Sequence, residues 1–329
     1  MTLLRNMFPE YKGRIMTVNG LIPAETTGIM FPHEHLIIMH QGADIDLDDP
    51  DLAIQEVMQY KEAGGCTIVE QTNNRMGRNP KALLRIAKET GLHIVMGCGY
   101  YKDAWIPESF DSLSVDDIAC EIYNDIVTGI DVDGIRVHAG HIGEIGVSRI
   151  ITEREECSLR GSARAQKATG AAMTVHFDLD AEETEHNYVI GILQDEGMDL
   201  SRAVFCHMVA KLDNMDRIIR LARQGINVCF EFGIDIDKRM MQLIDTTMEE
   251  QVVSIKEMLR LGLIDHMVIS QDVGFKACLT VNGGYGYAHI LKNIVPWFRR
   301  LKINEYDIER MISHNPRKIF TLFGRFPSY

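Results

Sequence analysis

The chain has 329 residues, of which 46% are hydrophobic and 25% are charged, as in a soluble globular protein. Lysine and arginine number 34 and aspartate and glutamate 47, which gives a formal net charge of −13. This acidic balance argues against a nucleic-acid-binding protein and against docking on anionic membranes, because both need a basic surface.

The seven cysteines occur singly, and no two of them form a C-x-x-C pair. Several lie inside apolar runs, so we predict buried, reduced thiols. The N-terminal stretch lacks the long apolar core of a signal peptide, and no apolar run approaches the ~18 residues that suggest a membrane span. We therefore expect a cytoplasmic protein.

Short apolar runs alternate along the chain with longer stretches of helical period. Eight runs are predicted to be strands: "GIMFPH" (28–33), "CTIVEQT" (66–72), "HIVMGCGYY" (93–101), "IRVHAGHIGEIGV" (135–147), "AMTVHF" (172–177), "AVFCHM" (203–208), "INVCFEF" (226–232) and "HMVISQDV" (266–273). Most are too uniformly apolar for a sheet with one solvent-exposed face. This favours parallel strands that are covered on both sides.

The intervening stretches carry helix start and stop signals. One helix is predicted with Asn79 as its N-cap, Pro80 at its first position and Gly91 just past its end. A second begins at Ser114, with Asp117 in its first turn, where a carboxylate suits the helix dipole.

The last helix is predicted to begin at Asn304, with Pro316 breaking or restarting it. No Ser/Gly linker, charge run or low-complexity segment divides the chain, so residues 1–329 are predicted to form one domain. Eight strand–helix alternations indicate an α/β protein with a (β/α)8 TIM barrel. A doubly wound open sheet is the alternative. It would often carry a glycine-rich phosphate loop after its first strand, and "TTGIMFPHEH" is not such a loop.

The active site of a (β/α)8 barrel lies at the C-terminal ends of its strands. Side chains that bind metals occur at five of these predicted ends: His33, His35, Glu144, His176, His207 and Asp272. His33 and His35 point the same way on an extended segment and can bind one ion together, whereas Glu34 should point elsewhere.

Six ligands are too many for one tetrahedral ion, and they suit two divalent ions bridged by a carboxylate. Zinc is the first expectation, with manganese, cobalt or iron as alternatives. A single histidine at a strand end is more often structural, and Glu144 could cap a helix or pair with an arginine. The coincidence of all six at strand ends favours the metal site. We predict structural roles for the other eight histidines, although His138 shares the strand parity of Glu144.

Nine segments together resemble the phosphotriesterase-related branch of the amidohydrolase superfamily, from about residue 20 to residue 323. They are "PHEHL", "GGCTIVEQTNNRMGRNP", "GCGYYKDAWIP", "AGHIGEIGVS", "TVHF", "CHM", "SQDV", "NGGYGY" and "HNPRKIF". The resemblance implies a metal-dependent (β/α)8 barrel. It also makes a homodimer plausible.

The resemblance assigns roles to the six residues. His33 and His35 would bind the more buried metal, and His176 and His207 the more exposed one. Asp272 would contact the buried metal and the hydroxide between the two ions. Glu144 stands where many members carry a carboxylated lysine, which is the pattern of a glutamate-bridged subgroup. The family often has a lysine at the position of His138 and an apolar residue at that of His141.

The resemblance further implies a hydrolase of lactones or carboxylic esters, phosphorylated or anionic sugar lactones included, with weak activity on organophosphate triesters. The bridging hydroxide would attack the carbonyl, and Asp272 would pass its proton to the leaving group. Four residues are candidates for contacts with the small-molecule substrate: Tyr100, Tyr101, Arg239 and Lys276. The alternatives are amide hydrolysis or another amidohydrolase-type reaction, a barrel that binds metal or ligand without catalysis, and a structural barrel without metal.

Overall fold

The computed structural model describes residues 11–39, 45–208, 215–233 and 247–322. Its strands are β1 (Arg14–Thr17), β2 (Gly20–Pro23), β3 (Ile29–Glu34), β4 (Gly65–Glu70), β5 (His93–Met96), β6 (Ile130–Val132), β7 (Ile135–Val137), β8 (Ile142–Val147), β9 (Met173–Phe177), β10 (Ala203–Cys206), β11 (Asn227–Glu231) and β12 (Met267–Ser270). Its α-helices are α1 (Pro50–Glu62), α2 (Pro80–Thr90), α3 (Val115–Val127), α4 (Glu153–Thr169), α5 (Glu183–Asp195), α6 (Met215–Arg223), α7 (Met248–Arg260), α8 (Val295–Arg300), α9 (Glu305–Glu309) and α10 (Asn315–Phe320).

Eight of the strands form a parallel barrel with the helices outside it. β3, β4 and β5 pair in that order, and β8 to β12 pair in sequence order. Backbone hydrogen bonds join the two sheets: the Asp272 amide donates to the His33 carbonyl at 3.2 Å, and the Gly143 amide donates to the Cys98 carbonyl at 2.8 Å. The predicted (β/α)8 barrel is therefore confirmed. The assignment of residues 1–329 to one domain stays a prediction.

The barrel interior is filled by small and branched side chains from successive strands. Its buried members include Met30, Val69, Val95, Ala172, Val204, Cys206, Cys229 and Val268. The antiparallel hairpin β1–β2 adds Ile15 to this cluster, and α10 adds Ile319 and Phe320. The interior is thus a packed core, and ligand chemistry is restricted to one rim.

The boundaries of α2 and α3 lie at the capping residues that the sequence predicts. α2 has Asn79 as N-cap, Pro80 as its first residue and a left-handed Gly91 at its C-cap. Ser114 and Asp117 form a capping box at the start of α3, in which each side chain satisfies a backbone amide. The stretch that begins at Asn304 is helical without a gap: α9 passes through a π-helical segment, Arg310–His314, into α10 from Asn315. Pro316 lies in the first turn of α10 and does not break the helix.

The fourth predicted strand is wrong in its first half. Residues 135–137 belong to β7, which pairs with β6 in an antiparallel hairpin, and the barrel strand β8 begins only at Ile142. At Gly140 the chain passes so close to the Met16 carbonyl that a Cβ would lie 2.2 Å from its oxygen. Residues 138–141 therefore form a connection that packs closely against β1 before β8 begins.

The seven cysteines are free thiols, and Cys98, Cys206, Cys229 and Cys278 are buried. Within the described ranges, no helix combines the length and apolar character needed to cross a bilayer.

Candidate metal centre

The six predicted ligands come together at the C-terminal rim of the barrel. Three groups of their side chains have ligand atoms within 4.8 Å of one another: His33 with His35 and Glu144; His33 with His207 and Asp272; and Glu144 with His176 and His207. Glu144 lies within β8, and His33 and His176 lie near the ends of β3 and β9. His35 and His207 follow their strands directly, and Asp272 lies two residues after the end of β12.

The carboxylate of Glu144 lies between the two histidine pairs. Its Oε1 atom is 3.6 Å from His33 Nε2, and its Oε2 atom is 3.7 Å from His35 Nε2. On the other side, Oε1 is 2.5 Å from His176 Nδ1 and 3.4 Å from His207 Nε2. A single carboxylate thus faces four imidazole nitrogens, as a bridging ligand must.

Asp272 completes the cluster from the loop that follows β12. Its Oδ1 atom lies 3.4 Å from His33 Nε2 and 3.6 Å from His35 Nε2, while Oδ2 lies 3.9 Å from His207 Nδ1. Asp272 and His207 both have left-handed backbone conformations, with φ of 59° and 62°. Non-glycine residues in this region cost about 1–3 kcal/mol each and often occur at functional sites.

Glu34 points away from the cluster, as its alternation with the two histidines predicts. Its carboxylate accepts hydrogen bonds from Ser270 Oγ at 2.6 Å, from the Gln271 amide at 2.9 Å and from the Val273 amide at 3.0 Å. Burial raises the pKa of Glu34 to about 7, against these hydrogen bonds. Its role is to hold the chain on both sides of Asp272.

The charges in the cluster are strongly coupled. Burial lowers the pKa of His33 well below its usual value and lowers that of His176 to about 4. Burial alone would raise the pKa of Glu144, but the surrounding histidines hold it well below its usual value. His207 has its pKa raised to about 9, because Glu144, Glu231 and Asp272 outweigh its burial. Burial raises the pKa of Asp272 well above its usual value.

The donor set fits divalent metal ions. Among the described residues, His33 Nε2 and His207 Nδ1 are buried side-chain atoms without a hydrogen-bond partner, and both face the cluster. Leaving such nitrogens buried and unpaired costs free energy, unless another group binds them. Neutral imidazoles and ionised carboxylates are ligands of zinc and of similar divalent ions. These two nitrogens are therefore natural metal-binding positions.

Of the four predicted substrate contacts, one is shown next to the cluster. The Tyr101 hydroxyl lies 2.9 Å from His176 Nε2, at the edge of the cluster. Tyr100 is buried and its hydroxyl donates to Glu121 of α3 at 2.6 Å, so this hydroxyl is directed at the surrounding helix layer. Lys276 is half-buried, 3.4 Å from Asp48. Arg239 lies outside the described residues.

The extra histidines near Glu144 do not join the cluster. His138 directly follows β7, and its Nδ1 is 3.0 Å from the Ile126 carbonyl. His141 is buried with Nε2 3.1 Å from the Glu70 carbonyl. Burial lowers the pKa of His141 to about 4. Both rings contact backbone carbonyls rather than the six predicted ligands, and the parity argument for His138 fails because strand β8 starts after it.

Two supporting side chains were not predicted from the sequence. Thr72 Oγ1 lies 2.9 Å from His35 Nδ1, and Cys206 Sγ lies 2.9 Å from His33 Nδ1. Thr72 ends the second predicted strand, and Cys206 directly precedes His207, so both occur at the C-terminal ends of predicted strands, on the same rim as the ligands. That position is the one signal in the sequence that could have identified them.

A barrel that gathers four histidines and two carboxylates at this rim has the architecture of a metal-dependent hydrolase. The family model described as "Phosphotriesterase family" matches residues 13–320, so the chain belongs to the phosphotriesterase family of hydrolases. The family membership expected from the sequence is confirmed.

Two relatives are similar over most of the chain. An N-acetyltaurine hydrolase from Dictyostelium discoideum is 32% identical over 85% of this chain and 75% of its own length. The phosphotriesterase homology protein from Escherichia coli is 32% identical over 90% of this chain and 99% of its own. The structure of the latter, complexed with phosphate in its active site, superposes with a TM-score of 0.81. A lactonase from Listeria monocytogenes has a TM-score of 0.83 at 25% identity, covering 94% of this chain and 99% of its own.

Proposed function

We propose that the protein is a binuclear metal-dependent hydrolase of carbonyl-centred bonds, with lactones or carboxylic esters as its first substrate class. One observation carries the proposal: the Glu144 carboxylate lies between two histidine pairs, 2.5 to 3.7 Å from four ring nitrogens. Glu144 and three of these histidines are buried, where polar and charged groups need partners. The arrangement suits two cations that share one carboxylate.

The ligand roles follow from the distances. His33 and His35 would hold one ion, His176 and His207 the other, and Glu144 both, while Asp272 would complete the first site. Two divalent ions, when bound, lower the pKa of coordinated water and polarise the substrate carbonyl. A lysine at this position must be carboxylated before it can bridge two ions. Glu144 already carries a carboxylate and needs no such modification.

Asp272 is the proposed proton carrier. Its Oδ1 faces His33 and His35, which leaves Oδ2 on the other side of the carboxylate, 3.9 Å from His207. During attack of water on the carbonyl carbon, Asp272 takes a proton from that water. It then gives the proton to the leaving oxygen as the bond from the carbonyl carbon to that oxygen breaks. The second proton of the water goes to solvent. The products are a carboxylate and an alcohol, which remain one molecule when the substrate is a lactone.

Tyr101 is the proposed contact at the entrance. Its hydroxyl lies beside His176 and can donate a hydrogen bond to the substrate oxygen that gains negative charge. Lys276 is proposed to receive an anionic group of the substrate, such as a phosphate or a carboxylate. Arg239, outside the described residues, stays a predicted second contact for that group. The family likeness to a protein with phosphate in its active site supports an anionic substrate.

Amide hydrolysis is the second candidate, and the names of the relatives favour it. The Dictyostelium relative is an N-acetyltaurine hydrolase, and that substrate is an amide with an anionic end. The same residues would serve either reaction, because the carbonyl carbon is attacked in both. The difference lies in the leaving nitrogen of an amide, which must be protonated to depart.

The test is a substrate panel with metal-stripped and metal-reloaded protein. It contains lactones with and without phosphate, aliphatic and aryl carboxylic esters, an organophosphate triester and N-acyl amides including N-acetyltaurine. We expect turnover on lactones or esters that disappears on chelation and returns with zinc, manganese or cobalt. Turnover confined to the amides would favour amide hydrolysis, the second candidate function. No turnover on any carbonyl compound by protein that holds two metal equivalents would favour a non-catalytic barrel.

A further inference from the structure

The ring of His33 has an unusual neighbour on the side that faces away from the cluster. A metal-binding histidine usually donates its second N–H to a carboxylate, a backbone carbonyl or water, which fixes the ring and raises its basicity. His35 has the Thr72 hydroxyl in this position, and His33 has the thiol of Cys206, 2.9 Å from Nδ1. With Nε2 directed at Glu144 and Asp272, Nδ1 is the ring nitrogen that remains to contact Cys206 Sγ.

Cys206 is the first member of a buried chain of polar groups. β10 and β11 are parallel, with Phe205 beside Val228, so the next positions bring Cys206 beside Cys229. The two thiols are in hydrogen-bond contact, and Cys229 also contacts the Glu231 carboxylate. The ligand atoms of His33, Cys206, Cys229 and Glu231 all lie within 4.8 Å of one another.

This network of polar groups ends at His207, in the second histidine pair. Both oxygens of Glu231 lie 3.3 Å from the backbone amide of His207, which donates to them. His207 has a φ of 62°, a conformation that needs support in a residue other than glycine. One network therefore contacts the ring of a histidine in one pair and the backbone of a histidine in the other.

We propose that Cys206 is a positioning residue for His33, and that its thiol, through Cys229 and Glu231, fixes the two histidine pairs relative to each other. This inference rests on the proposed function, because it assumes that His33 binds a metal ion. In this arrangement the Nδ1–H of His33 donates to Cys206 Sγ, and the contacts of Cys206 with Cys229 and of Cys229 with Glu231 continue the network. Cys206 acts through His33, because it contacts Nδ1 while Nε2 faces the cluster.

A purely packing role for Cys206 would give different results, and the barrel interior supplies the control. Val204 lies two residues earlier on β10, is equally buried and belongs to the same interior cluster. Val204→Ala opens space in that cluster without touching His33. Cys206→Ala opens space and removes the acceptor of Nδ1–H, whereas Cys206→Ser keeps an acceptor of smaller size.

The experiment titrates metal-free protein with Co²⁺ against a chromophoric chelator, and records the visible absorption of the bound cobalt. The parent should bind two equivalents. Cys206→Ala should lose about 10–100-fold in affinity for one equivalent, as expected for removal of a partner of a metal-binding histidine. Its cobalt absorption should shift, while the other equivalent is unchanged. Cys206→Ser should lie closer to the parent than to Cys206→Ala, and Val204→Ala should bind both ions as the parent does.

The outcomes separate this inference from the proposed function. A parent that binds no cobalt would overturn the proposed function, and this inference with it. A parent with two equivalents and a Cys206→Ala variant with unchanged affinities would overturn this inference alone, as would equal losses in Val204→Ala. If Cys206→Ala does not fold, nitrogen-15 NMR of the zinc-loaded, histidine-labelled parent decides. We expect a proton on His33 Nδ1, and its absence would contradict the proposal.

Discussion

Replacing Asp272 by asparagine should slow turnover far more than it weakens substrate or metal binding. Asparagine keeps a carbonyl oxygen at the position of Oδ1, which faces His33 Nε2 and His35 Nε2 at 3.4 and 3.6 Å. It replaces the proton-accepting Oδ2 with an NH2 group, which cannot take a proton from water. A positioned general acid–base group contributes about 10²–10⁴-fold to a rate, which corresponds to about 2.7–5.4 kcal/mol in the activation free energy.

The assay compares esters that differ only in the leaving group. If Asp272 returns the proton to the leaving oxygen, the loss in kcat should be largest for an alkyl ester or lactone and smallest for an activated aryl ester, whose leaving group departs without a proton. Metal content and KM should change little. Asp178→Asn is the control, since Asp178 follows His176 by two residues and accepts from the Arg149 amide at 3.0 Å. Equal rates for Asp272→Asn and the parent, or an equal loss on every ester, would refute the proton-carrier role.

Three further predictions test the entrance, the loop and the core. Tyr101→Phe should lower kcat/KM about 3–10-fold with unchanged metal content, since it removes one hydrogen bond, and an unchanged value would remove Tyr101 from the site. The Glu56 carboxylate holds the loop after β12, since it accepts from the Thr280 hydroxyl at 2.7 Å and from the Thr280 and Val281 amides at 3.0 Å. Glu56→Gln should therefore raise KM and speed proteolysis of that loop, and an unchanged cleavage rate would contradict this role. His186 is buried against Phe177 with neither ring nitrogen hydrogen-bonded, and burial lowers its pKa to about 3. The unfolded chain therefore takes up its proton first as the pH falls below the usual value near 6.5, and stability is lost from there towards pH 3. From pH 8 to pH 5, His186 should lower the free energy of unfolding of the parent by about 2 kcal/mol, measured by urea unfolding. His186→Leu and His186→Gln should both lack this loss. Parallel pH profiles for parent and variants would contradict the prediction.

The local signals in the sequence predicted much of the fold because they act over a few residues. Asn79, Pro80 and Gly91 delimit α2 through hydrogen bonds and backbone angles that each residue sets itself. The ligands could be found because the barrel brings the ends of its strands to one rim, so that a position at a strand end already implies proximity. The order of strands and helices was therefore enough to group six residues that are far apart in sequence.

The fourth strand shows where a local apolar pattern misleads. Asp133 and Gly134 lie between two short alternating segments, and an Asp-Gly pair there indicates a two-residue hairpin turn. Both have positive φ, 52° and 83°, as a type I′ turn requires. The run from residue 135 concealed this turn, because Ile135 and Val137 of β7 are apolar and lead into the apolar residues of β8.

Side-chain direction around the site could not be read from the sequence. Tyr100 and Tyr101 are adjacent, yet one hydroxyl bonds Glu121 of α3 and the other His176. The contact between His33 and Cys206 joins strands that are 173 residues apart, and no pattern within either strand specifies it. Such contacts depend on the shear of the closed barrel, which the strand order alone does not give.

The most direct test of the account is a crystal structure of the zinc-loaded protein with anomalous scattering measured at the zinc edge. We expect two peaks on either side of the Glu144 carboxylate, about 3.5–4 Å apart, one beside His33 and His35 and the other beside His176 and His207. A single peak, or none among these six side chains at saturating zinc, would contradict the binuclear centre.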